Sequence, residues 1–290
     1  MTWWEGIILG LVQGLTEFLP ISSSAHLRVV GELLNGGSDP GAAFTAITQI
    51  GTETAVLVYF RHDIVRIVTA WWRALRGQDG PGWRARGGAG DPDARMAWWI
   101  GLGTVPIVVL GLAFEESIKG PFRNLYLIVL TLALFAVVLG VADRVGAKRR
   151  TLDQLTPGHA VAFGFAQALA LIPGVSRSGG TISAGLLMGY TREAAARYSF
   201  LLAVPAVLGS GLQQLVTSLD DFGRTGTPSL GVTVLATVVA FVVGYVVIIG
   251  FLKLVSTRSY LPFVIYRFAF AAAIVLLLLT NVLDPVSGTA

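Results

Sequence analysis

The sequence has no cysteine, only three histidines and three methionines in 290 residues, and 13% charged residues. The absence of cysteine excludes disulfide scaffolds, thiolate metal sites and cysteine nucleophiles. The scarcity of charge excludes more. A soluble domain carries about 25% charged residues, and 21 basic and 17 acidic side chains cannot cover the surface of a globule this long. Intrinsic disorder needs the opposite composition, and no G-X-Y period supports a collagen-like chain. What is present is apolar: 54% of the residues are hydrophobic, 35 are glycine, and the mean hydropathy is +0.70. Lipid is the expected solvent for much of the chain. The net charge of +4 then reads as loop orientation in a membrane, and no nucleic-acid partner is expected.

Six stretches are long and apolar enough to cross a bilayer core of about 30 Å, which takes roughly 20 helical residues. They are 43–60, 97–114, 122–142, 198–216, 230–252 and 262–282. Two further stretches are interrupted. Residues 3–19 hold Gln13 and Glu17 and stop at Pro20; residues 159–172 stop at Pro173-Gly174. Broken apolar segments of that kind predict re-entrant hairpins, whose irregular backbone must line a cavity or pack against protein. Met1 to Leu11 has no basic start, carries Glu5 and lacks a small-x-small site, so no cleavable signal peptide is expected there.

The charges orient these pieces. Arg61, Arg66, Arg73, Arg76, Arg84, Arg86 and Arg95 form one basic cluster, and Arg144, Lys148, Arg149 and Arg150 another, with two expected spans between them. Both clusters belong on the cytoplasmic side by the positive-inside rule. Glu115, Glu116, Asp220 and Asp221 then fall outside, and Lys253 and Arg258 inside. That solution closes only if 1–42 begins and ends outside and 151–197 begins and ends inside. The expected fold is therefore an all-α polytopic membrane protein with an inverted-topology repeat, six transmembrane helices plus two re-entrant helical hairpins. It is a single membrane domain over 1–290, with repeat 1 at about 1–142, repeat 2 at about 151–282 and a cytoplasmic loop at about 61–96. Within that loop, Arg76 to Asp93 is glycine-rich and expected to be mobile and without chemistry. Gly10-Leu-Val-Gln13-Gly-Leu, followed by Pro20 and serine, resembles Gly164-Phe-Ala-Gln167-Ala-Leu, followed by Pro173 and serine.

An intramembrane carboxylate is costly and marks function. Gln13 and Glu17 share one helix face, and their oxygens suit a divalent cation, Mg²⁺ or Ca²⁺; the alternative is that they pair within the hairpin. Ser22, Ser23, Ser24 and His26 follow the break. Ser23 and His26 are three apart, a spacing that puts a hydroxyl beside an imidazole if a helix resumes there; the alternative is a serine cap and a histidine at the interface. In the second hairpin Gly174, Ser176, Arg177, Ser178, Gly179 and Thr181 gather a guanidinium, hydroxyls and open backbone N–H groups at a helix start, a fitting cradle for a phosphate. An ion pair between Arg177 and Glu17 is the competing reading, and one site can hold both states. Glu53, four residues after Gln49, lines the same cavity or lies near the outer interface. His62 and His159 are expected to be structural, Arg192, Glu193 and Arg197 to form a solvated turn, and Tyr266 and Arg267 to support the interface or the site from behind.

Gln13-Gly-Leu-Thr-Glu17-Phe-Leu-Pro-Ile-Ser-Ser-Ser-Ala-His26 resembles the (E/Q)xxxE and serine–histidine motif of the bacitracin-resistance family, the undecaprenyl-diphosphate phosphatases. Pro173-Gly-Val-Ser-Arg-Ser-Gly-Gly-Thr181 resembles that family's second motif, and Ser199-Phe-Leu-Leu-Ala-Val-Pro205 and Pro262-Phe-Val-Ile-Tyr-Arg267 resemble further segments. The likeness runs from about residue 3 to 280. Two departures stand out: Gln13 where a glutamate is frequent, and Glu53 where a small or apolar residue is expected. The resemblance implies a bacterial plasma-membrane enzyme that hydrolyses undecaprenyl diphosphate, recycling the lipid carrier of peptidoglycan synthesis and conferring bacitracin resistance, with the headgroup reached from the extracytoplasmic side. Glu17, Ser23, His26 and Arg177 would be catalytic, with Ser23 attacking and His26 or Glu17 as base, or His26 or water attacking instead. Gln13, Glu17 and, if it reaches the cavity, Glu53 would hold the metal. The competing class is a polyprenyl-phosphate flippase or anion transporter, for which Arg177 would bind a carried anion. Membrane lipids are the expected surroundings, and the oligomeric state, homo-oligomer included, is open.

Overall fold

The computed structural model describes residues 1–34, 41–224 and 227–286, and among them it is helical throughout. A first hairpin consists of α1 (Trp3–Thr16) and α2 (Ser23–Leu34). It is followed by α3 (Gly41–Tyr59), α4 (Arg61–Leu75), the short α5 (Trp83–Arg86), α6 (Pro92–Ala113), the short α7 (Glu115–Lys119) and α8 (Leu125–Val145). A second hairpin, α9 (Pro157–Ala168) and α10 (Arg177–Leu187), leads into α11 (Arg192–Thr217), α12 (Leu230–Val255) and α13 (Leu261–Leu279). Five of these, α6, α8, α11, α12 and α13, are long and apolar enough to cross a membrane, as befits an integral membrane protein. The stretch expected as a sixth span, 43–60, is the helix α3, which falls outside that set because threonines, Gln49 and Glu53 interrupt its apolar run. Thr45, Thr48 and Thr54 return their hydroxyls to carbonyls one turn back, which keeps them compatible with a helix in apolar surroundings. The first-repeat boundary expected at about 1–142 runs through 35–40, outside the described residues.

Glycine sets how closely the hairpins pack. A Cβ on Gly10 of α1 would lie 2.5 Å from the Ala236 carbonyl oxygen of α12, and a Cβ on Gly164 of α9 would lie 2.5 Å from the Gly103 carbonyl oxygen of α6. Both first arms thus lie backbone against backbone on a long helix, the packing that small residues permit in lipid. Beneath the hairpins sits an aromatic core that includes Phe18, Phe60, Phe163, Tyr198, Phe200, Phe251 and Tyr260.

Two expectations need correction. Residues 61–96 are not a plain loop: α4 occupies 61–75, with Ala70 and Ala74 buried against Ala94, and α6 starts at Pro92 behind an Asp91 cap. The glycine-rich 76–93 carries α5 and a series of hydrogen-bonded turns. Arg192, Glu193 and Arg197 begin α11 rather than forming a solvated turn. Arg192 pairs with Asp143 at 2.6 Å, and Arg197 pairs with Asp63 at 2.8 Å while lying over the Phe60 ring. Sequence spacing could not show these pairs, since each joins elements far apart in the chain.

Candidate active site

The breaks of the two hairpins meet. In each, one serine with positive φ starts the second arm: Ser22 at φ 75° before α2 and Ser176 at φ 70° before α10. Each serine hydroxyl accepts from the backbone N–H three residues on, Ala25 or Gly179, and lies near the hydroxyl two residues on, Ser24 at 3.2 Å or Ser178 at 3.1 Å. A side chain in that backbone region is strained by about 1–3 kcal/mol, a conformation that clusters at functional sites. The hairpins are also stitched together. The Gly174 N–H donates to Ser22 Oγ at 3.2 Å, and Ser178 Oγ donates to the Leu19 carbonyl at 3.1 Å.

The chief tie is Arg267 of α13, which is fully buried. Its guanidinium donates to the Pro20 carbonyl of the first break (3.1 Å), to Gly174 (2.7 Å) and Val175 (3.2 Å) of the second, and to Leu132 of α8 (3.1 Å). Carbonyls that a broken helix leaves without partners are satisfied by one cation. From its sequence Arg267 is expected only to support the interface or the site; the signal that raises it is an arginine inside an apolar span.

The first residue of each second arm reaches the same carboxylate. Ser23 Oγ donates to Glu17 Oε2 at 2.6 Å, Gln13 Nε2 donates to the same oxygen at 2.7 Å, and Arg177 donates to Glu17 Oε1. Arg177 also donates to Glu53 Oε1 at 2.8 Å. The Glu17–Arg177 pair, the competing reading of the sequence, is therefore formed, and Glu53 joins it from α3 instead of lying at the outer interface. Glu53 is wholly buried in this group and Arg177 nearly so.

His26 is elsewhere. Its Nδ1 donates to the Ser22 carbonyl at 2.7 Å, its Nε2 meets the Tyr266 hydroxyl at 2.7 Å, and its ring stacks on Phe270 with centroids 4.0 Å apart. A carbonyl can only accept, so Nδ1 carries the proton and Nε2 is turned to Tyr266, away from Ser23. The Ser23–His26 pair suggested by spacing is not made; the break turns Ser23 toward Glu17 and His26 toward α13.

A cavity of about 530 Å³ opens onto this junction. Glu17, Ser22, Ser23, Ser24, Ser176 and Arg177 form its polar floor. Other expected phosphate ligands stand behind the wall. The Gly174 N–H is given to Ser22, that of Gly179 to the Ser176 cap, Ser178 Oγ to Leu19, and Thr181 Oγ1 donates to the Arg177 carbonyl at 2.7 Å and contacts Ser199 Oγ. A Cβ on Gly174 (φ 93°) would lie 2.0 Å from Thr131 Oγ1, so this glycine serves packing. These four hold the break in shape and do not face the cavity.

The donor set suits a cation of modest demand. Among the described residues no three His, Cys, Asp or Glu side chains cluster as a metal cage. Two acceptors are nevertheless buried without any donor, Gln13 Oε1 and Glu53 Oε2, and Mg²⁺ is commonly held by one or two carboxylates plus substrate phosphates. Gln167, the counterpart of Gln13 in the second hairpin, is also buried, with neither amide atom partnered. His159, expected to be structural, contacts Tyr190 and Arg150 away from the cavity.

Residues 6–273 match the family model described as "Bacitracin resistance protein BacA". The chain is 61% identical over 278 residues to an undecaprenyl-diphosphatase of Pseudarthrobacter chlorophenolicus, covering 96% of this chain and 98% of that one. It is 59% identical over 284 residues to an undecaprenyl-diphosphatase of Paenarthrobacter aurescens, covering 98% and 100%. A third relative, undecaprenyl-diphosphatase 2 of Agrobacterium fabrum, is 60% identical over 285 residues, with 98% of both chains covered.

Proposed function

The chain belongs to the bacitracin-resistance protein family BacA, and from that premise we propose that it is an integral phosphatase of the bacterial plasma membrane. It removes the terminal phosphate of undecaprenyl diphosphate, returning the monophosphate carrier to peptidoglycan synthesis and conferring bacitracin resistance. One observation carries the reading beyond kinship: the Ser23 hydroxyl is bonded to the Glu17 carboxylate on the floor of a cavity that also holds Arg177. A hydroxyl held by a base beside an anion clamp is the equipment of phosphoryl transfer. An anion carrier needs the clamp and no nucleophile.

In the mechanism this geometry supports, Arg177 turns from the carboxylates to the incoming phosphate, matching two of its oxygens with a planar fork. The starts of α2 and α10 add the positive ends of two helix dipoles. Ser23 Oγ attacks the terminal phosphorus, its proton passes to Glu17 Oε2, and the bond to the bridging oxygen breaks, releasing polyprenyl monophosphate. Glu17 gives that proton to the departing bridging oxygen, then takes one from the attacking water and returns it to Ser23 Oγ as the phosphate leaves. Gln13, Glu17 and Glu53 would hold Mg²⁺ or Ca²⁺; when bound, such a cation offsets the negative charge that two carboxylates and a diphosphate bring together. His26 positions Ser22, and through it Ser23, by gripping the Ser22 carbonyl. The inverted repeat is part of the same proposal: two re-entrant hairpins entering from opposite faces, each followed by three spans, bring their breaks together at the midplane. The matched serines, glycines and glutamines of the two hairpins support it.

Purified protein in detergent, where no gradient can exist, tests the activity. Release of inorganic phosphate from undecaprenyl diphosphate is expected. Binding without release would favour the flippase or transporter reading.

A further inference from the structure

The helix α4 and the turn after it line no part of the cavity, yet their placement is particular. Asp63 pairs with Arg197 in the second turn of α11, Arg66 with Asp93 in the first turn of α6, and Arg73 with Asp91, the α6 cap. Along its length α4 is thus held against the starts of two long apolar helices, and it lies across their ends instead of beside them. Trp71 packs on Trp98 with ring centroids 5.7 Å apart, where α6 passes from the charged Asp93 and Arg95 to an apolar run. Tryptophan is favoured where a chain enters lipid, so α4 lies at the level of the membrane surface. Ile67, Ala70 and Ala74 are its buried face. A second apolar stripe at helical spacing stands open: Val65, Val68 and Trp72 are 64%, 52% and 50% exposed. His62, Arg66, Thr69 and Arg73 take the remaining side. An open apolar stripe beside a cationic side is the pattern of a helix lying in a membrane interface. The following turn adds positive charge. Arg76 lies over the Trp72 ring at 4.9 Å, Arg84 over the Trp83 ring at 5.4 Å, and a Cβ on Gly77 would lie 3.6 Å from Arg86 Nε, so the three arginines gather at the end of α4. Whereas Arg66 and Arg73 are held by Asp93 and Asp91, no carboxylate pairs with Arg76, Arg84 or Arg86 among the described residues.

We propose that α4, together with the segment to Arg86, is a docking surface for acidic phospholipid. Val65, Val68 and Trp72 enter the boundary between headgroups and acyl chains, and Arg76, Arg84 and Arg86 bind the lipid phosphates. The inference needs the chain's place in a membrane and is independent of the phosphatase reading. Charge complementarity selects this occupant, since a guanidinium fork matches the two free oxygens of a phosphodiester. Continuity selects it as well: the stripe lies at the level where the neighbouring α6 enters lipid. A nucleic acid or an acidic soluble protein would meet the arginines and leave the apolar stripe in water.

Because the chain has no cysteine, single labels can be placed without background. Val68→Cys and Thr69→Cys are spin-labelled in the full chain and reconstituted in vesicles of phosphatidylcholine and phosphatidylglycerol. Each label is compared for collision with oxygen, which concentrates in lipid, and with a nickel chelate, which stays in water. The label at 68 should favour oxygen and the label at 69 the chelate. Preference for acidic lipid is then read from spin-labelled phosphatidylglycerol and phosphatidylcholine around three proteins: wild type, Arg84→Gln/Arg86→Gln, and the charge-matched Lys148→Gln/Arg149→Gln. The first pair should lower the preference by about fivefold and the matched pair by less than about twofold. Equal access of the chelate to both labels would put the stripe in water, as a soluble protein partner requires, and would overturn the docking surface. An unchanged preference in Arg84→Gln/Arg86→Gln would overturn it too, and so would an equal fall in the matched pair, which would reduce the attraction to net charge.

Discussion

The two hairpins share a backbone and divide the chemistry. Each has a glycine packed on a long helix (Gly10, Gly164), a fully buried glutamine (Gln13, Gln167) and a positive-φ serine that caps the second arm (Ser22, Ser176). At the first position of the second arm they part: Ser23 in one, Arg177 in the other, and both reach Glu17. A carboxylate one turn after the glutamine exists only in the first hairpin; the corresponding place in the second is Leu171. The shared parts make a place where two helix starts face one cavity, and the differing parts put a carboxylate and a hydroxyl on one side of it and a guanidinium on the other. Neither hairpin alone holds a complete site.

This division can be broken at several points. Arg177→Lys keeps the charge and loses the fork that spans Glu17 and Glu53, so phosphate release should fall by about a hundredfold or more; a lysine enzyme at wild-type rate would mean that a point charge suffices. Gly10→Leu and Gly164→Leu strike the shared scaffold, and both should lower thermal stability by about 1–3 kcal/mol in detergent melts. A loss confined to one hairpin would mean that the two packings are not equivalent. Glu53→Gln should weaken Mn²⁺ binding, read by electron paramagnetic resonance, by about tenfold, and excess EDTA should silence the wild type reversibly; unchanged Mn²⁺ affinity would remove Glu53 from the donor set. The smallest effect sharpens the contrast most. Gln167→Leu removes a buried amide that has no partner and should change stability by less than about 1 kcal/mol with turnover intact, whereas Gln13→Leu takes a donor from Glu17 and should reduce turnover.

Much of this was legible in the sequence because lipid makes polar residues conspicuous. Glu17 and Arg177 stood out in apolar runs, the prolines and serines marked both breaks, and the matching Gly-x-x-Gln segments linked the hairpins. Local spacing failed where contacts are distant. Ser23 and His26 are three apart on α2, yet they meet different partners, Glu17 and Tyr266, each supplied by another element. Arg267 ties elements more than 90 residues away in the chain, and nothing near it in sequence announces that. The expected loop at 61–96 hid α4, whose alanines pack on α6 while its arginines read as loop charge.

The most direct measurement is phosphate release by Ser23→Ala in the detergent used for wild type, with its melting temperature and its binding of undecaprenyl diphosphate followed in parallel. The account predicts background release at unchanged stability and nearly unchanged binding, because the fold, the Glu17–Arg177 pair and the clamp survive while the nucleophile is gone. Release near the wild-type rate would contradict it and would move the nucleophile away from the first hairpin's serine.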